Sequence, residues 1–218
     1  MKTKQTGFTL VEIAIVLVII GLLLGGILKG QEMIIQAKVK NSITDFSGVS
    51  AAFYGYQDRY RAIPGDDSGA ARWAGAIPGD NNRLLVGAYT AADVATPVAG
   101  TAETILWWDH LRRSGFVTGG QGGIKPINSF NGFLGVQQGD GTGTGTSLPS
   151  GGTGFTNIFM CSSNLPDKVA IALDVQMDDG NPGGGAVRAP VAGSSALGTT
   201  AASYVETGTT IYTLCRQF

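Results

Sequence analysis

The feature that most constrains this chain is the run from Phe8 to Leu28, 21 residues interrupted only by Thr9 and Glu12 among polar side chains. A helix of that length rises far enough to cross a hydrocarbon core of about 30 Å. Lys2 and Lys4 precede the run, which places the N-terminus on the cytoplasmic side by the positive-inside rule. A secretory signal would end near small residues with an Ala-x-Ala cleavage pattern. None occurs at the far end; the chain passes Gly25, Gly26 and Gly30 and continues as KGQEMIIQAKVKNSI without a turn signal. The apolar segment is therefore expected to be retained, and a plain uncleaved anchor is the simplest alternative. Glu12 is the anomaly, because an ionisable residue inside such a segment is costly and reads as functional, with a partner to be named.

The rest of the chain is unlike this run. Charged residues make up 14% and the net charge is −1, with no basic cluster beyond Arg112-Arg113. That leaves no electrostatic footprint for nucleic acid. The two cysteines, Cys161 and Cys215, are far from CxxC spacing, and the single histidine, His110, cannot complete a Cys/His zinc site with them. In an exported domain the pair reads as a disulfide, and in a cytosolic one as free thiols. A bridge across this roughly 55-residue loop stabilises by about 4 kcal/mol on the chain-entropy scale.

A short basic leader ending in Gly7, then Phe8-Thr9-Leu10-Val11-Glu12, then an unbroken apolar helix, resembles the type IV prepilin signal. That signal is shared by type IV pilins and the pseudopilins of type II secretion systems. The resemblance covers about the first 30 residues. It implies cleavage between Gly7 and Phe8 by a prepilin peptidase that also N-methylates Phe8. It implies that Glu12 pairs with the Phe8 amine of a neighbouring subunit during assembly. A lone buried carboxylate is expensive and a neighbour's ammonium would offset much of that cost, so Glu12 would also penalise a stray monomer. Many type IV pilins carry a proline about 20 residues into the mature helix, where Lys29 stands here. Gly21, Gly25, Gly26 and Gly30 lie near that region. Close helix packing is favoured over local melting as their role.

Beyond Lys29 the pattern becomes amphipathic. Ile35, Val39, Ile43, Phe46, Val49, Phe53, Tyr56 and Tyr60 recur at helical spacing. One helix is expected from about Phe8 to Tyr60, ended by Ala62-Ile63-Pro64-Gly65. The implied organisation is a leader at 1–7, a transmembrane or filament-core half at 8–28, an amphipathic half at 29–61 and a globular head at 62–218. The fold class is α+β and pilin-like, with the C-terminal half of the long helix packed on an antiparallel sheet. AIPGD at 62–66 returns at 76–80, which two Pro-Gly turns with an adjacent Asp explain better than a repeat architecture. The surrounding YRAIPGDDSGAARWAGAIPGDNN bears a weaker resemblance to a segment after the long helix of some large pilin-like proteins.

ETILWWDHLRRSG at 103–115 reads as a short helix stopped by Gly115, with Ile105, Trp108 and Leu111 inward and His110 at the surface or in a cap. Strands are expected at 130–136, 156–160, 169–175 and 210–215, and a Gly/Thr-rich flexible loop at 139–154. That loop lacks a GKS or GKT ending, so it is not a phosphate loop. Asp178, Asp179 and Asn181 are the best set of hard oxygen ligands for calcium, which the major pseudopilins carry in a head loop. The spacing departs from D-x-D-x-D-G, and an acidic turn is favoured, so no cofactor is assigned.

No GxSxG, HExxH or convergent His-carboxylate set is present, which points away from an enzyme. The expected role is a structural subunit of a type IV pilus or pilus-like filament, and the alternative is a type II secretion pseudopilin. A disulfide and a large head favour the pilus, since the common major pseudopilin has a smaller head. The implied partners are copies of the chain and related pilins, the prepilin peptidase/N-methyltransferase, an inner-membrane assembly platform and membrane lipid. The implied location is the bacterial inner membrane with the head in the periplasm, then a surface pilus or periplasmic pseudopilus.

Overall fold

The computed structural model describes residues 9–139, 149–150, 153–191 and 203–218. The chain divides into two compact units, Met1–Lys38 and Val39–Phe218, each described by itself below. Helix α1, Leu10–Tyr60, runs through both.

In the first unit α1 is apolar on every side from Ile13 to Leu28. Its large side chains from Leu10 to Ile35 are all exposed, Leu10 at 86% and Ile35 at 45%. Gly21, Gly25, Gly26 and Gly30 stay helical, and a Cβ added to any of them would meet open space.

In the second unit the same helix presents one buried stripe: Val39, Ser42, Phe46, Val49, Ala52, Phe53 and Tyr56. The steps of three and four residues keep these side chains on one face. They enter a core with Trp107, Trp108 and Leu111 of α2 (Glu103–Arg113) and Val169, Ala170 and Leu173 of α3 (Asp167–Met177). The helix stops because Arg61 adopts a left-handed backbone (φ 57°) while its N–H still bonds Gln57 O at 2.8 Å. The break thus falls one residue before the Ala62-Ile63-Pro64-Gly65 segment expected to cause it.

The strands are β1 (Leu134–Gln138), β2 (Pro149–Ser150), β3 (Thr153–Gly154), β4 (Ile158–Pro166), β5 (Val187–Arg188) and β6 (Ile211–Gln217). Four form an antiparallel sheet in the order β1-β4-β6-β5, and β2 pairs only with β3. Strand alternation divides the sheet's side chains between two clusters. Ile158, Met160, Tyr212 and Leu214 join the core containing α1. Phe159, Cys161 and Cys215 join Tyr89 and Phe155 in a second, smaller cluster. Cys161 and Cys215 stand opposite each other on β4 and β6 and form a disulfide. This is an α+β, pilin-like arrangement of a long N-terminal helix and an antiparallel sheet.

Two expectations are corrected. VAIALDV at 169–175 is not a strand but lies inside α3. Asp167 starts that helix, its carboxylate accepting N–H bonds from Lys168, Thr207 and Gly208, and Val169, Ala170 and Leu173 share its buried face. A seven-residue apolar run fits a strand or a buried helix equally, and only the tertiary anchor separates them. The strand expected at 130–136 starts only at Leu134, because Asn131 turns the chain through a left-handed conformation (φ 58°). Of the Gly/Thr-rich stretch at 139–154, residues 140–148 and 151–152 lie outside the described residues, while 149–150 and 153–154 are the β2–β3 ladder.

Candidate functional site

The N-terminal end of α1 is built from a short sequence signal. Thr9 and Glu12 have the spacing at which an N-cap hydroxyl and an N3 carboxylate satisfy each other's backbone donors. The Thr9 N–H donates to Glu12 Oε2 at 2.8 Å, and the Thr9 hydroxyl donates to the same oxygen at 2.7 Å. In return the Glu12 N–H donates to Thr9 Oγ1 at 3.3 Å. Glu12 therefore has a partner within its own chain, which corrects the expectation of a carboxylate left alone in a single subunit. Both of these bonds use Oε2. Gly7 and Phe8, the expected cleavage pair, lie outside the described residues.

Directly after this cap, Leu10, Val11, Ala14, Ile15, Val18 and Ile19 line a shallow groove of about 310 Å³ with no polar wall. Among the described residues α1 is the one helix long and apolar enough to cross a membrane. Contiguous apolar exposure on this scale marks a surface built for lipid or protein rather than water. The site thus consists of a greasy rod whose single acid sits in its first turn.

The other candidates are structural. His110, expected at the surface or in a cap, is fully buried and bonds backbone groups. Its Nδ1 accepts the Gly65 N–H at 2.9 Å and its Nε2 faces Ile77 O at 2.8 Å, so it joins the two AIPGD segments. Burial pushes its pKa below the ordinary 6.5, with the Ile77 contact and Asp109 opposing. Nothing nucleophilic is among these partners.

For calcium, Asp178 and Asp179 are joined by Asp174 of α3, their carboxylate oxygens lying within 4.8 Å of one another. The side-chain oxygen of Asn181, named with them on sequence grounds, accepts from the Gly183 N–H at 3.1 Å. Asp178 accepts from the Val187 N–H, and Asp174 from the Tyr204 hydroxyl. These bonds tie a turn with the chain's own donors. A second acidic group, Asp66, Asp80 and Glu103, was not legible in the sequence because its members come from three separate segments. Burial raises the pKa of both Asp66 and Glu103.

Residues 2–28 match the family described as the prokaryotic N-terminal methylation motif. No curated protein and no solved structure matches the chain. The matched residues contain the Thr9–Glu12 cap and most of the apolar part of α1. This chain therefore carries the type IV prepilin-like signal at the head of a pilin-like α+β arrangement.

Proposed function

We propose that the chain is a structural subunit of a type IV pilus or pilus-like filament, assembled through its N-terminal helix. The observation that carries this reading is the methylation motif laid over a helix whose apolar side chains are exposed all round from Leu10 to Ile35. Such a surface can be covered twice, first by lipid and then by the same helix of neighbouring copies.

In this reading residues 1–7 are the leader, removed between Gly7 and Phe8 by a prepilin peptidase that methylates the new Phe8 amine. Residues 8–28 anchor the precursor in the inner membrane with the head outside the cytoplasm. Residues 29–61 carry the helix into the head at 62–218. During assembly Glu12 exchanges or shares its Thr9 bonds for the Phe8 ammonium of another subunit, which sets the stagger between helices. The subunit does no chemistry and needs no cofactor for this work.

The test is Glu12→Ala in cells that assemble the filament. Membrane insertion should be unchanged while filament yield falls at least about tenfold, as expected for loss of a charge-assisted contact. Normal yield would defeat the pairing. Assembly confined to the cell envelope would instead assign the chain to a type II secretion pseudopilus.

A further inference from the structure

Where α1 ends, two hollows of about 370 and 320 Å³ open side by side and share Gln57, Ile63 and Arg83 as walls. Together they have the capacity of an ordinary small-ligand site. Every wall belongs to the second unit. Among the described residues, five non-glycine positions have a left-handed backbone, and three of them stand on the first hollow: Arg61 (φ 57°), Asn81 (φ 60°) and Arg83 (φ 69°). Asn tolerates that conformation through local hydrogen bonds, but Arg has no such compensation. Strain of this kind persists only where the surroundings fix it, and it gathers at ligand sites.

Asp66 fixes two of the three, Asn81 and Arg83. Its backbone oxygen accepts the Asn81 N–H at 2.9 Å. Its carboxylate accepts the Asn82 N–H at 3.0 Å and the Arg83 N–H at 2.8 Å. The only carboxylate side chain on the walls is thus turned into backbone donors and buried at 1% exposure. The guanidiniums are left uncommitted. Arg83 has no side-chain hydrogen bond or ion pair among the described residues. Arg61 meets only Asp58 at 3.5 Å, with both side chains 82% exposed, a contact worth little in water.

The remaining walls favour a hydroxyl-rich ligand. Gln57, Asn81 and Asn157 offer amides that donate and accept together, and the exposed Tyr54 ring offers a flat apolar face. A peptide strand is disfavoured, because the strand ends at this place are already paired. Gln138 stands opposite Ile158, and the Phe218 N–H bonds Ile158 O at 3.0 Å. The inner side of β1 is therefore already taken at this place.

We propose that this groove binds an acidic saccharide, with a uronate carboxylate held by Arg61 and Arg83 and sugar hydroxyls on the neighbouring amides. The site does not depend on the filament reading. Calorimetric titration of the full-length chain in detergent micelles with galacturonate and glucuronate trimers tests it. At least one trimer should bind saturably at one per chain, and its neutral methyl ester should bind at least about tenfold more weakly, the order of a lost charge-assisted hydrogen bond. Arg61→Asn and Arg83→Asn remove the charge but tolerate the left-handed backbone, so each should weaken binding about tenfold at unchanged Tm. Tyr54→Ala should weaken acid and ester alike. Absence of saturable binding by both trimers, equal binding of acid and ester, or equal binding of a triglutamate peptide would each overturn the proposal.

Discussion

Burial favours the neutral form of His110, and its two contacts set the tautomer. Nδ1 accepts the Gly65 N–H, so the proton sits on Nε2 and is donated to Ile77 O. Because burial lowers its folded-state pKa below the ordinary 6.5, the unfolded chain takes up the extra proton first. The stability this contributes is complete above about pH 6.5 and is lost as pH falls through the folded value. Since the chain has one histidine, its ring resonances report directly. Their titration midpoint should lie below 6.5, with the Nε2–H tautomer above it, and a midpoint at or above 6.5 contradicts the assignment. The same junction gives the AIPGD echo its physical reason. Gly65 has φ 88°, and a Cβ there would come within 2.3 Å of Glu103 O; at Gly79 it would come within 2.4 Å of the Asp66 backbone. Gly79→Ala should therefore destabilise the head by about 1–3 kcal/mol, measured by denaturant unfolding.

At the scale of elements, what could be read in advance was what has a period. The stripe from Val39 to Tyr56 announces a one-faced helix, and Phe46, at 1% exposure, lies in its middle. Phe46→Ala should cost about 3–5 kcal/mol, visible as a lower unfolding midpoint. The β4 and β6 runs were legible as short β-rich segments between turns, although both extend past their expected ends, to Pro166 and Gln217. The ladder continues wherever its partner strand continues, which no local signal records. Helix α3 resembles a strand in sequence because Val169 to Val175 has no polar interruption before Asp174 to betray its period. What makes it a helix is Asp167 bonding Thr207 and Gly208, some 40 residues away. At the candidate site Glu12 stands out by its charge, whereas its bond to Thr9 depends on the side-chain geometry of the first turn, which the sequence does not fix. Between β4 and β6, the Cys161–Cys215 bridge joins residues 54 apart in sequence. Replacing both cysteines by alanine should lower head stability by up to about 4 kcal/mol, and an unchanged unfolding midpoint would remove the bridge's structural role.

At the scale of the molecule, the core cluster begins at Val39, and the large side chains before it are exposed. A fragment starting at residue 29 should therefore be soluble without detergent and unfold within a few degrees of the full chain. Loss of cooperative unfolding in that fragment would show that the first unit is needed for folding. The two units also answer to different chemistry. The second keeps its carboxylates on N–H groups, hydroxyls and guanidiniums and closes its sheet with a disulfide. The first offers a long apolar surface with a capped acid, Glu12, in its first turn, and that surface is complete only when something covers it. The most direct test of what covers it is to shear the producing cells and analyse the released fibres by intact mass spectrometry. Fibres composed mainly of this chain, beginning at N-methylated Phe8, are the expected result; a chain that stays in the membrane with residues 1–7 attached would contradict it.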